Sequence, residues 1–405
     1  MAATFDCQAV EYFFEPKFSS NQRYDTNLYM RRRPFQNNWI STLSPGINFG
    51  LRHENGQLNS NFTWNQLLYN NQSELDIDEQ LFGINYQHQH NERLQWGANG
   101  SYNSQSSLNT EESGSGLLFT QVMRKQLSIA PTVSYSLDEL SSVALDYSYD
   151  KATYEKNQNI FFLSDYDYHQ ATGTYNYIYS ELDRLNFSLS SSLYKTPVQN
   201  QRTFNHVAQA GWQHTFDKQI TTYISAGLNY SQIETTLPQL PFIGFTSTGQ
   251  PVYFDNELNQ LTLQQRYAVV KSNNFGQVYR ASIQKTFERG SVSLIGSQNQ
   301  TPTSQGLQTR SEIAFSNSIS LNERWTAAIN ASYSSSEITG QTNSQFNRTN
   351  YSISPSINWK WTPEINLGLS YRFRQQEYQS SPEPSLGNVV QLQFNYQPQI
   401  NRQVK

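Results

Sequence analysis

The chain contains one cysteine, Cys7, among 405 residues, so no intrachain disulfide can form and the thiol reads as a free one. No run of about 18 apolar residues occurs, which excludes a transmembrane helix. Charge is scarce as well: Asp, Glu, Lys and Arg make up 15% of the residues, with a formal net charge of -4. That balance is too small to argue for nucleic acid or for an acidic partner surface. No basic start followed by an apolar stretch is visible, so export has to be inferred from the rest of the pattern. Gly-rich phosphate loops, nucleophile elbows and zinc-protease motifs are missing from the sequence.

Ser, Asn, Gln and Thr fill the gap, together with aromatics at 14%, including 26 Tyr and 23 Phe. Three classes share such a composition: an Asn/Gln-rich disordered polymer, a soluble all-β repeat protein and an outer-membrane barrel. Disorder is disfavoured because the aromatics are spread through the whole chain. The negative mean hydropathy does not argue against a barrel, since only every second strand residue faces lipid.

Alternation decides between the remaining two. Tyr351, Ile353, Pro355, Ile357, Trp359 and Trp361 share one face, and Ser352, Ser354, Ser356, Asn358 and Lys360 the other. After Thr362-Pro363 the pattern resumes, with Ile365, Leu367, Leu369, Tyr371 and Phe373 opposed to Asn366, Gly368, Ser370, Arg372 and Arg374. Period two means strands with one apolar face. Segments around 94–102, 185–193, 325–333 and 390–396 read the same way. A soluble sandwich needs two inner faces that close on each other. Here the second face is Ser, Asn and Thr, which suits a wet interior.

The links alternate too. Short ones fall at His53-Glu54-Asn55-Gly56, Asn91-Glu92-Arg93, Asp138-Glu139, Leu182-Asp183, Asp217-Lys218, Glu288-Arg289-Gly290, Asn322-Glu323-Arg324 and Thr362-Pro363. Long polar ones fall near 22–37, 70–76, 107–116, 156–167, 197–202, 235–273, 302–307, 339–346 and 378–386. Eight short turns and nine long links predict an all-β, up-and-down antiparallel transmembrane barrel of about eighteen strands. The range is sixteen to twenty, because Leu261, Leu263, Tyr267 and Val269 can add strand within 235–273. The barrel is expected over 11–398, with a periplasmic segment at 1–10 and a periplasmic tail at 399–405. Both termini then lie on the short-turn side, and the location is the outer membrane of a Gram-negative-type cell.

By parity, Glu15, Lys17, Arg124, Asp146, Asp150, Arg280, Glu312, Lys360, Arg372 and Arg374 are the charged pore-lining candidates. Their mixed signs fit either a hydrated, self-balanced wall or a selectivity ring. Trp39, Trp96, Trp325, Tyr333, Trp359 and Trp361 are the aromatic girdle candidates, since amphipathic rings favour the membrane–water boundary. A constriction, if present, is expected from 235–273, whose apolar pieces 237–243 and 252–254 can fold inward or cap the mouth. His88 and His90 share a face, but no Cys and no carboxylate pair completes a metal site, so both read as girdle residues. Asp165 and Asp167 read as a solvated loop pair, with a loose divalent site as the sharper alternative.

Two local features carry a resemblance. Glu15-Pro16-Lys17-Phe18 is followed by Arg23-Tyr24-Asp25-Thr26-Asn27-Leu28-Tyr29. A Ser-Pro-x-Ile pattern at Leu43-Ser44-Pro45-Gly46-Ile47 recurs as Ile129-Ala130-Pro131-Thr132-Val133 and Ile353-Ser354-Pro355-Ser356-Ile357. This resembles the type 2 family of outer-membrane β-barrel porins associated with exopolysaccharide or capsule gene clusters. The resemblance implies a pore serving exopolysaccharide or sugar-like solutes, and it carries over no catalytic residues. The three prolines fall on the apolar face, where a local bulge or weak pairing near the turn is expected. The expected partners are outer-membrane lipids, polysaccharide or a small polar solute, and periplasmic export components, with no nucleic acid. No enzyme activity, metal or cofactor is expected. The competing readings are a general diffusion porin, a non-conducting structural or surface-interaction barrel, and a barrel-embedded hydrolase.

Overall fold

The structure is a computed structural model that describes residues 10–33, 35–70, 72–112, 116, 118, 121–155, 163–197, 200–246, 250–255, 258–339, 347–381, 383–398 and, as backbone, 403–404. The chain begins with β1 (Glu11–Asp25), β2 (Asn38–His53), β3 (Gly56–Tyr69), β4 (Ile77–Gln89) and β5 (Leu94–Ser106). A single helical turn, α1 (Ser107–Thr110), precedes β6 (Met123–Ser136), β7 (Ser141–Tyr154), β8 (Tyr166–Ile178), β9 (Asp183–Thr196), β10 (Gln201–Asp217) and β11 (Ile220–Pro238). Three short strands follow: β12 (Phe242–Phe245), β13 (Pro251–Asp255) and β14 (Gln260–Thr262). The rest is β15 (Tyr267–Phe287), β16 (Gly290–Thr303), β17 (Gly306–Ser320), β18 (Trp325–Ile338), β19 (Arg348–Lys360), β20 (Ile365–Tyr378), β21 (Ser385–Tyr396) and β22 (Gln403–Val404).

Eighteen of these form one ring. Each of β1 to β10 pairs antiparallel with the next, β11 pairs with β15, and the ladder runs on to β21. Strand β21 closes the ring on β1, from Phe18 opposite Tyr396 to Asp25 opposite Val389. Closure removes the sheet edges that lipid cannot solvate, where each unsatisfied backbone group costs several kcal/mol. The foot of β1 extends below the end of β21. The chain returns there, and β22 pairs Tyr12 with Gln403 and Glu11 with Val404. The expected tail thus adds a short strand to the closing seam.

Two links differ from expectation. Within 235–273, Tyr267 and Val269 belong to β15, which pairs with β11 as far as Pro238 opposite Tyr267. Leu261 sits in β14, part of a separate three-stranded sheet with β12 and β13, so no strand is added to the ring. At 302–307 the link is only the turn Ser304-Gln305 between β16 and β17, where Pro302 still pairs with Leu307.

The exposed large apolar residues mark the outer face. On β1 they are Tyr12, Phe14 and Phe18, and on β9 Phe187 and Leu189, the latter 70% exposed. Three of the short turns share one device. Asn91 Oδ1 accepts from the backbone N–H of Arg93 and Leu94, Asp138 Oδ1 from Leu140 and Ser141, and Asn322 Oδ1 from Arg324 and Trp325. A short polar side chain that bonds the backbone two and three residues on is what turn chemistry selects.

Pro45, Pro131 and Pro355 share another. Each pairs normally with the preceding strand, opposite Phe18, Ala98 and Ile329. Toward the following strand each loses its rungs. The ladder jumps from Leu43–Gln66 to Gly46–Thr63, from Ile129–Tyr149 to Thr132–Asp146, and from Ile353–Phe373 to Ser356–Ser370. The register is unchanged across each gap, so the weak pairing is present and the bulge is not. The missing proline N–H is sufficient reason.

Candidate constriction of the lumen

On most strands the inward face is small and polar, but at the loop end it changes character. Inward Tyr154 and Ala152 of β7, Tyr166 and Tyr168 of β8 and Tyr194 of β9 are buried together with Val122 and Leu307. Leu307 reaches them because the β16–β17 tip turns into the lumen, and Tyr194 Oη donates to the Thr303 carbonyl at 2.9 Å. A second apolar cluster joins Ile40 of β2 and Leu67 and Tyr69 of β3 to Leu28, Met30, Leu75, Leu108 and Leu118 from three long links.

The link between β5 and β6 holds these two clusters together. Its entry is capped by Ser106, whose Oγ accepts from Leu108 N–H. Glu79 accepts from Ser106 N–H at 3.0 Å and from Asn109 Nδ2 at 2.8 Å. Two adjacent carboxylates then point to different walls. Glu111, 2% exposed, accepts from Tyr154 Oη at 2.6 Å and lies 3.6 Å from Arg124 Nε. Ser304 Oγ donates to its other oxygen at 3.4 Å. Glu112 pairs with Arg374 at 2.9 Å and with Arg372 at 3.4 Å, and its carbonyl accepts from Arg348 Nη1. The Gly116 carbonyl accepts from Gln376 Nε2 and Tyr378 Oη.

Strand β7 is seventh in the ring and β19 is sixteenth of eighteen, so Tyr154 and Arg348 stand half a circumference apart. The segment is therefore a strap across the lumen. Gly116 has φ +77°, and a Cβ there would collide with the Arg348 guanidinium, so glycine is required twice over. Arg374 also holds Asp25 at 2.7 Å, tying the strap to the closing seam. Burial would raise the Glu112 carboxyl, but Arg374 and Arg372 beside it outweigh that and hold it below its ordinary value of 4.5.

Inside this closed ring the wall is polar, and outside it is an apolar belt with no helix among the described residues long enough to cross a membrane. The chain is an eighteen-stranded outer-membrane β-barrel. Among solved structures it is similar to Acinetobacter baumannii OccAB4, with 7% identity, a TM-score of 0.47 and coverage of 95% of this chain and 98% of that one. It is also similar to the outer membrane protein opdK of Pseudomonas aeruginosa, at 8% identity, TM-score 0.47, and 95% and 99% coverage. The ferric-catecholate import receptor Fiu of E. coli K12 is similar at 8% identity and TM-score 0.46, over 94% of this chain and 81% of that one. At such identities the likeness concerns the fold alone. No family model and no curated protein sequence matches the chain.

Of the charged candidates, the strap brings together Arg124, Arg372 and Arg374. The others stand apart from it. Glu15 and Lys17 alternate with the exposed Phe14, Pro16 and Phe18 on β1. On β7, Asp146 accepts from Thr132 Oγ1 at 2.6 Å and Asp150 from Ser128 Oγ. Arg280 is exposed opposite Ser225, Glu312 lies 3.2 Å from Arg310, and Lys360 ends β19 at a short turn. Glu111, Glu112, Asp25, Arg310 and Arg348 are not among the charged candidates that parity selects. The adjacent acidic pair, followed by the apolar run Leu117-Leu118-Phe119, was the available signal.

The tryptophan candidates sit at or next to strand ends, and Tyr333 lies in the middle of β18. Trp325 stacks on Trp359 at 5.4 Å and 6°, Trp359 neighbours Trp361, and Trp39 and Trp96 are 47% and 41% exposed. Tyr333 packs on Tyr351. His88 lies among His53, His90, Tyr86 and Trp96, and no metal-holding group of His, Cys, Asp and Glu occurs among the described residues. Asp165 accepts from Tyr154 N–H and Asp167 from Tyr149 Oη, so each carboxylate has a structural bond. The one described imidazole–carboxylate pair, His214 with Asp183 at 2.8 Å, has Ser180 on the carboxylate. A hydrolase needs the serine on the imidazole.

Proposed function

We propose that the barrel conducts small polar solutes across the outer membrane, through a lumen narrowed by the β5–β6 strap, of which residues 107–112, 116, 118, 121 and 122 are described. The observation that carries this is Glu111 and Glu112 bound to walls half a ring apart. Barrels of sixteen to eighteen strands leave an aqueous channel, so a strap that fills part of the mouth leaves a size-limited path. The polar inner face hydrates such a path without selecting strongly for one sign of charge. Passage of exopolysaccharide, which the motif resemblance implies, requires the strap to leave the lumen and is the weaker reading. Single-channel recording in planar bilayers tests both. Replacing residues 109–119 by Gly-Gly should raise the unit conductance severalfold. An unaltered conductance would remove the strap from the pathway, and a barrel that never conducts would overturn the pore itself.

A further inference from the structure

We propose that the turn-side half of the lumen holds a binding subsite for a polyhydroxylated solute of one or two sugar rings, and this rests on the pore reading above. A cavity of about 390 Å³ lies against the inner wall of β6 to β11, next to the short turns and away from the strap. Its size falls in the range of pockets that enclose small ligands, roughly 300–1,000 Å³. Ser142, Asn176, Arg184, Asn186, Gln213 and Tyr223 line it.

The ladder builds this cluster in two adjoining rows. In one, Gln213 stands opposite Arg184 on β9 and opposite Tyr223 on β11. In the other, Ser142 faces Asn176, Asn176 faces Asn186, and Asn186 faces Gly211. Gly211 is the device that makes the notch. With no side chain there, Asn186 and Tyr223 lean over the gap and bond each other, Nδ2 to Oη at 3.1 Å. A Cβ on Gly211 would collide with Asn186 Oδ1 and come within 2.6 Å of Tyr223 Oη.

The chemistry of this lining matches sugars. A hydroxyl both donates and accepts, and so does each amide of Asn176, Asn186 and Gln213. Tyr223 adds an aromatic surface for the C–H faces of a ring. Asp138 at the rim is occupied in capping its own turn. Arg184, which shares the lining with Asp138 and Glu139, offers a guanidinium for a carboxylate substituent.

Calorimetric titration of the detergent-solubilised full chain with maltose, glucose and glucuronate tests the subsite. Saturable binding is expected, with glucuronate tighter than glucose. Gly211→Ala clashes only with side-chain ends, so the barrel should keep its melting temperature while maltose binding weakens about tenfold. Tyr223→Ala should weaken it as much, and Tyr223→Phe less. Absence of saturable binding for all three sugars, or full binding by a folded Gly211→Ala barrel, overturns the proposal. A barrel that conducts salt but binds no sugar retains the pore and loses the subsite. One that binds sugar but does not conduct does the reverse.

Discussion

The two halves of the lumen are built by opposite means. Near the short turns, Ser, Asn and Gln project from regular strands, and the turns are fixed by side chains that bond their own backbone. Near the long links, tyrosines, leucines and ion pairs from distant parts of the chain meet inside the ring. Glu112 and Arg374 are 262 residues apart, and Glu111 and Ser304 are 193 apart. The turn-side half follows from local rules, while the loop-side half depends on a few long-range pairs. Substitutions should therefore hurt the loop side most.

The largest effect is expected from Arg374→Ala. It leaves Asp25, 2% exposed, without its guanidinium and Glu112 with Arg372 alone. Removing one partner of a buried pair costs about 3–5 kcal/mol, much of it from the charge left unpaired. Unfolding in urea after reconstitution should show that loss, and single-channel traces should show frequent excursions to a larger conductance. An identical substitution at Arg280, which is exposed to the lumen, should leave stability nearly unchanged. If the two variants behave alike, the contrast between the halves fails.

Leu307→Ala comes next. The side chain is 2% exposed against Val122, Ala152, Tyr154, Tyr166, Tyr168 and Tyr194. A buried Leu→Ala change costs about 2–5 kcal/mol, according to how far the site collapses. Here the inturned β16–β17 tip is free to relax, which places the expected loss at the lower end. The melting temperature should fall while far-ultraviolet circular dichroism stays that of a barrel. A tip that packs loosely would show no change in melting.

The contrast also explains what the sequence disclosed. Period-two alternation is a local property, so it revealed the strands, the short turns at Asn91, Asp138 and Asn322, and the eighteen-strand ring. The strap is not periodic. Its carboxylates acquire meaning only when Arg124, Arg372 and Arg374 are brought beside them by closure of the whole ring. Those arginines were legible as inward by parity, but their partners were not. Of the apolar pieces within 235–273, Leu237 and Pro238 end β11, while Phe242 and Ile243 and the segment 252–254 enter the small β12–β14 sheet, with Phe242 and Phe245 exposed. The prolines were legible as interruptions, and constant register replaces the expected bulge.

Acid offers a milder probe of the strap. Arg374 and Arg372 outweigh the effect of burial and depress Glu112 below 4.5. A depressed carboxyl contributes docking strength that is complete above its ordinary value and is lost as pH falls through the lowered one. The conductance histogram should therefore stay constant from neutrality to about pH 4.5 and shift to larger steps only below it. Glu112→Gln removes that titration, so its histogram should not change further in acid. A transition between pH 5 and 7 would assign the response to another group.

The smallest effect belongs to the regular wall. At Pro355 the ladder to β20 lacks its rungs although the register on both sides is intact. Pro355→Val supplies the absent N–H and a β-branched side chain on the lipid face. A hydrogen bond regained there is worth about 1 kcal/mol, offset in part by the greater freedom of the unfolded chain. The melting temperature should rise by a few degrees at most, with conductance unaltered. A fall would mean that the proline gaps relieve strain as the wall curves toward its turns, since the same gap recurs at Pro45 and Pro131 on strands that run to short turns. In that case the turn-side half, too, would depend on more than local alternation.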